Sequence, residues 1–122
     1  YLDWQVKGPI VVAQIESINA VNNLNEIFRV KGLDGFMIGP YDLSCSMGIP
    51  GEFNNPKFIE IVNNILNLGK KSGLAIGTHI IEPDLNLLKS SIRQGYNFIA
   101  YSVDIRMLST SAMKARGEID RI

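Results

Sequence analysis

Four short apolar runs, each followed by a segment with helical spacing, constrain the fold of this chain most strongly. The runs occupy residues 10–16, 35–38, 74–80 and 97–103. The first run is continuous rather than alternating, which is typical of a parallel strand buried on both faces. A strand–loop–helix rhythm repeated four times predicts an α/β fold with a parallel sheet and right-handed crossover connections.

The segments between the runs carry start and stop signals of helices. Asn, Asp and Ser at the starts are good N-caps, and glycine at the ends takes the left-handed conformation that closes a helix. The predicted helices run from Ser17 or Asn19 to Val30, from Asn55-Pro56 to Ser72, from Asp84 to Gly95 and, capped by Asp104, from Ile105 to about Arg116, followed by a frayed or docked tail. Residues 39–54 are predicted to be a long loop, which in a compact domain is more often functional than idle.

Two architectures fit this rhythm. One is a doubly wound open sheet, and the other is four strand–helix units, or half, of a (β/α)8 TIM barrel, whose full length is about 250 residues. The 122 residues suit one partial domain spanning residues 1–122. In both architectures the chemistry belongs at the carboxyl ends of the strands.

Composition excludes several classes of partner. Lys plus Arg and Asp plus Glu each number 12, so no basic face for nucleic acid is expected. No apolar run approaches the roughly 18 residues of a membrane span, and the first residues do not resemble a signal peptide.

The single cysteine, Cys45, excludes an internal disulfide and fits a cytoplasmic location. We interpret Cys45 as a packing residue. Because the chain does not begin with Met, we expect it to be part of a longer protein.

Two carboxylates follow neighbouring strands at the expected functional edge. Glu16 ends the first run, and Asp42 follows the second. Adjacent parallel strands lie about 4.8 Å apart, so both acids can share a cation, and oxygen ligands favour Mg²⁺ or Mn²⁺ over zinc. A glycosidase-type acid/base pair is an alternative. The remaining possibility is that both acids only cap helices or form ion pairs.

Several blocks of sequence together resemble a known family. They are Gln14-Ile15-Glu16-Ser17, Ala20, Asn23-Leu24, Glu26-Ile27, Gly32-Leu33-Asp34-Gly35, Ile38-Gly39-Pro40-Tyr41-Asp42-Leu43-Ser44, Ser46-Met47-Gly48, Gly95, Asn97-Phe98 and Val103-Asp104. This set is similar to the class II pyruvate aldolases, such as the 2-dehydro-3-deoxyglucarate and 4-hydroxy-2-oxoheptanedioate aldolases. Gln-x-Glu and Ile-Gly-Pro-x-Asp-Leu-Ser are specific as a pair and weak singly.

The resemblance implies a (β/α)8 barrel, commonly a homo-oligomer, that cleaves 4-hydroxy-2-oxo acids to pyruvate and an aldehyde with a divalent metal, Mg²⁺ or Mn²⁺. By position, Glu16 and Asp42 would be the metal ligands, and Gln14 would contact the pyruvate moiety. Tyr41 and Asp42 would present backbone N–H groups to its carboxylate. Tyr41 often corresponds to a smaller residue in this family, which implies a more crowded rim. No Schiff-base lysine is required, and Lys70 and Lys71 are interpreted as solvated.

The resemblance covers strands five to eight of the family barrel, whose first half supplies a substrate-binding arginine and a proton-transferring histidine. His79, the only histidine, is a candidate substitute base, with a packing role as the alternative. Arg106 is a further candidate at the rim. The open edges of half a barrel predict either association with other copies or an additional N-terminal half-barrel.

The alternative functions are a citramalyl- or citryl-CoA lyase-like enzyme and a non-catalytic pyruvate- and metal-binding or assembly module. The first has less support because nothing in the sequence resembles a nucleotide-recognition element. The second is motivated by the absence of the family's arginine and histidine.

Overall fold

A computed structural model describes residues 8–119 and 121. In this part of the chain one parallel sheet contains the strands β1 (Val12–Ile15), β2 (Gly35–Ile38), β3 (Ala75–Ile80) and β4 (Phe98–Tyr101). Each strand pairs with the next one in sequence, in the order β1-β2-β3-β4. A doubly wound sheet reverses its strand order at a switch point. The sequential order therefore selects the partial TIM barrel of the two predicted architectures.

Helices lie between the strands and after the last one. They are α1 (Ile18–Asn22), α2 (Leu24–Ile27), α3 (Pro40–Ser46), α4 (Pro56–Ser72), α5 (Leu85–Gln94) and α6 (Asp104–Ile119). The last helix was predicted to end near Arg116 and continues to Ile119, while residues 120 and 122 of the predicted tail lie outside the described residues. No helix in the described part of the chain is both long and apolar enough to cross a membrane.

The predicted caps are confirmed at three helix starts. The side chain of Ser17 accepts a hydrogen bond from the Ala20 N–H, and that of Asn55 accepts one from the Lys57 N–H. Asp84 Oδ1 accepts bonds from two N–H groups of the first turn of α5. Each bond satisfies an N–H group that has no partner inside the helix.

Two predictions about the connections are wrong. The continuous helix expected up to Val30 is divided into α1 and α2 at Asn23, whose side-chain amide donates to the Asn19 carbonyl. Such a local bond competes with the regular helix. The expected loop of residues 39–54 contains α3, which begins at Pro40, where the ring presets a helical φ angle.

One face of the sheet forms the core together with the helices. Ile15, Phe36, Ile38 and Ile76 alternate along three strands and are fully or almost fully buried. Apolar residues of α2, α3 and α4 cover them, namely Leu24, Leu43, Phe58, Ile65 and Leu66. This alternation is the two-residue period of a strand with a single packed face.

We call the opposite face of the sheet the inner face; it carries Val12, Gln14, Met37, His79 and Phe98. No helix of the described chain covers it: Val12 is 37% exposed and Phe98 is 43% exposed. The expectation that the first apolar run is buried on both faces is therefore wrong for this chain. Four strands form only part of a closed barrel, and the inner face of a barrel is buried by its own opposite wall.

Candidate active site

The carboxyl end of β1 presents Gln14 and Glu16 as a hydrogen-bonded pair. Gln14 Nε2 donates to Glu16 Oε2 over 2.7 Å. Beside them Gly39 continues the ladder of the sheet, because its N–H donates to the Ile15 carbonyl over 3.1 Å. A Cβ on Gly39 would lie 3.0 Å from both Gln14 Nε2 and Glu16 Cβ. The absent side chain of Gly39 therefore leaves the space that the pair occupies.

The carboxyl end of β2 leads directly into α3. Gly39 is the N-cap, Pro40 follows it, and Asp42 is in the exposed first turn. The N–H groups of Tyr41 and Asp42 belong to this turn and so have no acceptor within the helix. An acidic side chain at this helix end interacts favourably with the helix dipole. Glu16 and Asp42 thus follow adjacent strands at the same edge of the sheet, as predicted.

Two serines that the sequence did not single out as site residues hold α3 in place. Ser44 is fully buried; its hydroxyl donates to the Tyr41 carbonyl over 2.7 Å and accepts from the Gly51 N–H over 2.9 Å. The hydroxyl of Ser46 accepts from the N–H of Ile18 at the start of α1 over 3.0 Å. These bonds fix the helix that carries Asp42 against the rest of the fold. The repeated Ser-x-Ser within a short helix was the available signal.

A cavity of about 200 Å³ opens between these groups and β3. Gln14, Tyr41, Asp42 and His79 line it, together with the apolar or small residues Met37, Ile38, Gly39, Pro40 and Ile81. None of the lining residues is Lys or Arg. The structure therefore brings the predicted substrate-binding residues and the candidate base around one cavity.

The rim beyond β3 and β4 is tied together by Ser102. Its hydroxyl donates to the Ile81 carbonyl over 3.0 Å, and its N–H donates to the Ile80 carbonyl over 2.6 Å. His79 Nε2 lies 3.4 Å from the Ser102 carbonyl oxygen. Ser102 has a φ of +63°, which is uncommon for a residue other than glycine.

Arg106, the further candidate at this rim, is paired with an acid of the same chain. Its Nη2 lies 2.7 Å from Oε1 of Glu82, and both side chains are well exposed. The hydrogen bond and the charge of Glu82 raise the pKa of Arg106 above its ordinary value. The ion pair joins the segment after β3 to the first turn of α6, so its evident role is to connect these two parts of the rim.

The remaining predicted residues are not among those that line the cavity. Glu16 is half-buried beside Gln14. Cys45 is exposed on α3, so its interpretation as a packing residue is wrong. The helical turn that buries its neighbour Ser44 directs Cys45 to another side. Lys70 and Lys71 are exposed in the last turn of α4, as predicted.

The donor set bears on which metal these residues can hold. Within residues 8–119 and 121 no group of three or more His, Cys, Asp and Glu side chains is arranged to hold a metal ion. Glu16 and Asp42 offer two carboxylates at one edge, which suits Mg²⁺ or Mn²⁺ with water and substrate oxygens in the other positions. A structural zinc site, which needs four protein ligands, does not fit.

Comparisons with known proteins give a consistent result. Residues 5–111 match the family model described as HpcH/HpaI aldolase/citrate lyase. The 2-keto-3-deoxy-L-rhamnonate aldolase of Escherichia coli K12 is 36% identical over 106 residues, which are 87% of this chain and 39% of that protein. This chain therefore spans well under half the length of that relative.

Two solved structures share the fold over nearly the whole chain. An HpcH/HpaI aldolase/citrate lyase family protein from Burkholderia cenocepacia J2315 has a TM-score of 0.88 at 28% identity, covering 98% of this chain and 46% of that one. The HpcH/HpaI aldolase from Desulfitobacterium hafniense DCB-2 has a TM-score of 0.84 at 26% identity, covering 99% and 48%. This chain therefore corresponds to about half of each of these structures.

Proposed function

Because this chain belongs to the HpcH/HpaI aldolase/citrate lyase family, we propose that it carries the metal and pyruvate site of a carbon–carbon lyase. The proposed reaction is the divalent-metal-dependent cleavage of a 4-hydroxy-2-oxo acid to pyruvate and an aldehyde. Substrates of this type include 2-dehydro-3-deoxyglucarate and 4-hydroxy-2-oxoheptanedioate. The sugar-acid aldolase among its relatives supports this substrate class.

The observation that carries the proposal is the contact of Gln14 with Glu16 beside Gly39. The 2.7 Å bond from Gln14 uses one carboxylate oxygen of Glu16 and restricts how the group can turn. A hydrogen bond of this kind orients a metal-binding carboxylate and raises its affinity. Asp42, in the first turn of the helix that follows the neighbouring strand, would supply the second carboxylate.

Each residue then has a defined task in the reaction. Glu16 and Asp42 would hold Mg²⁺ or Mn²⁺, which as a Lewis acid stabilises the enolate of pyruvate. The N–H groups of Tyr41 and Asp42 would donate to the substrate carboxylate, because the start of a helix favours an anion. Gln14 would contact the pyruvate moiety through its amide. Gly39 keeps the backbone close to these groups.

The proposal is tested by cleavage assays that measure pyruvate release from 4-hydroxy-2-oxo acids. We expect activity with Mn²⁺ or Mg²⁺, its loss in excess EDTA, and recovery when metal is added. Glu16→Gln removes a charged ligand and should lower the rate by at least about 100-fold. Glu60→Gln, at an exposed position of α4, is the control and should change nothing. Full activity of the wild type in EDTA, or of Glu16→Gln, would contradict the proposal.

A non-catalytic module is the second candidate, and the lining of the cavity favours it. Among the described residues that line the cavity none is Lys or Arg, so no cationic side chain of this part of the chain would hold the substrate carboxylate. Binding of Mn²⁺ and pyruvate without turnover would support this alternative, and cleavage at a rate typical of an aldolase would exclude it. A CoA lyase is distinguished by turnover of a CoA thioester in place of the free oxo acid. A cytoplasmic location and a role in the catabolism of sugar acids or aromatic compounds belong to the main proposal.

A further inference from the structure

His79 occupies a position on the inner face from which it reaches the proposed site. Residues Gln14, Met37, Gly77 and Phe98 lie in register across the four strands, and His79 follows Gly77 by two residues on the same face. His79 lines the cavity together with Gln14 and Asp42. The histidine is half-buried, so its ring remains accessible from the cavity.

The contact with Ser102 selects one tautomer of the neutral imidazole. The Ser102 carbonyl oxygen can only accept a hydrogen bond, so a bond across the 3.4 Å to His79 Nε2 places the proton on that nitrogen. In the neutral ring the other nitrogen, Nδ1, then holds a lone pair. Nδ1 is therefore the nitrogen of neutral His79 that can accept a proton.

The Ser102 carbonyl is itself fixed. Its residue is buried and keeps a left-handed backbone conformation, with φ of +63°. The bonds to the Ile80 and Ile81 carbonyls, from its N–H and its hydroxyl, oppose relaxation of this conformation. An unusual backbone held by surrounding bonds is a frequent feature of functional sites. Ser102 is thereby a positioning residue for the imidazole.

We propose that Nδ1 of His79 is the group that moves the proton in the lyase reaction, an inference that rests on the proposed function. Nδ1 accepts the proton of the substrate 4-hydroxyl as the C3–C4 bond breaks. The O–H electron pair becomes the second bond of the aldehyde carbonyl, and the C3–C4 pair becomes the C2–C3 double bond of the enolate. The imidazolium then returns the same proton to C3, which gives pyruvate and restores His79.

The half-reaction with pyruvate alone tests this step. In D₂O with Mg²⁺, which is diamagnetic, Nδ1 should remove a methyl proton of pyruvate and return deuterium, which proton NMR detects as loss of the methyl signal. His79→Gln keeps a donor toward the Ser102 carbonyl and removes the base, so the exchange rate should fall about 100-fold or more. Lys71→Gln, on the exposed last turn of α4, is the control and should exchange at the wild-type rate.

Three further measurements separate the possible failures. Mn²⁺ titration of His79→Gln should give the wild-type affinity, and His79→Asn, with the same thermal unfolding temperature as the wild type, should repeat the loss of exchange. Independently of turnover, ¹⁵N NMR of neutral His79 should show the proton on Nε2. A proton on Nδ1, or wild-type exchange in both His79 variants, overturns the inference while leaving the metal site intact. Absence of Mn²⁺ binding in the wild type overturns the proposed function and this step with it.

Discussion

Gly39 is the single position where the local geometry of the site is most sensitive to one added atom. Its φ of −96° is open to alanine, so the cost of Gly39→Ala is steric. The new Cβ at 3.0 Å from Gln14 Nε2 and Glu16 Cβ would displace the hydrogen-bonded pair. We expect Mn²⁺ affinity to fall about tenfold, measured by titration with paramagnetic relaxation. Gly117→Ala, in open space on α6, should leave the affinity unchanged, and an unchanged Gly39→Ala would disprove the steric argument.

Tyr96 makes a separate prediction about stability at high pH. Burial raises the pKa of Tyr96 to about 12 in the folded chain, against about 10 in the unfolded chain. Since the unfolded state loses this proton first, the contribution is complete below pH 10 and falls as the pH rises to 12. Over this range it amounts to at most about 3 kcal/mol. Tyr96→Phe should unfold in urea with a smaller loss of stability between pH 9 and 11 than the wild type.

A parallel slope in the two proteins would show that Tyr96 ionises as freely in the folded state as in the unfolded one.

At the scale of single residues, the sequence was informative where the position at the end of a strand decides the outcome. Glu16 and Asp42 were placed at the carboxyl edge by the positions of the apolar runs alone. The bond from Gln14 to Glu16 was not predictable, because it depends on the packing of Gly39 across two strands.

Among the elements, α3 depends most on a buried polar group. The Ser44 hydroxyl joins the Tyr41 carbonyl to the Gly51 N–H, and so connects the first turn of the helix to the loop after it. Ser44→Ala leaves the Tyr41 carbonyl and the Gly51 N–H without this partner. We expect a loss of about 1–3 kcal/mol in the free energy of unfolding, measured with urea. Faster amide hydrogen exchange at Gly51 would locate the effect.

Cys45→Ala is the matched control. The side chain of Cys45 is exposed, so its replacement should change the free energy of unfolding by less than about 0.5 kcal/mol. Equal effects of the two substitutions would contradict the assigned role of Ser44.

The hydrogen bonds of Ser44 and Ser46 explain why α3 was missed in the sequence. Seven residues of helix beside several glycines and prolines lack the length that gives a periodic pattern, and tertiary bonds stabilise the element instead. The longer α4 was predicted correctly from its caps and apolar stripe.

For the whole molecule, the partial barrel explains both the correct and the incorrect expectations about burial. The parallel sheet followed from the alternation of apolar runs and helices, and the barrel followed from the resemblance to the family. The exposure of the inner face, and of apolar residues on α6 such as Ile105 and Leu108, did not. The sequence pattern of the apolar strands is the same whether or not the opposite wall of the barrel is present. Within the described chain, β1 and β4 likewise have no strand paired along their outer edges.

These open edges lead to a prediction about association. In a pair of copies related by a two-fold axis along the barrel, β4 of each copy lies parallel to β1 of the other, and eight strands close. We expect sedimentation velocity to detect a dimer that dissociates on dilution. Val12→Lys, which places a charge on the inner face of β1, should raise the dissociation constant at least tenfold, since burying an unpaired charge is costly.

Val30→Lys is the control, because Val30 is also exposed but lies outside the strands, after α2. It should leave the dimer unchanged if the sheet forms the interface. A monodisperse monomer at high concentration would refute pairing through the open edges. A dimer equally sensitive to both substitutions would place the interface elsewhere. Selective loss with Val12→Lys would show that closing the barrel is a property of the sheet itself, and that the inner face next to Gln14 and His79 is shielded from water only in the assembled state.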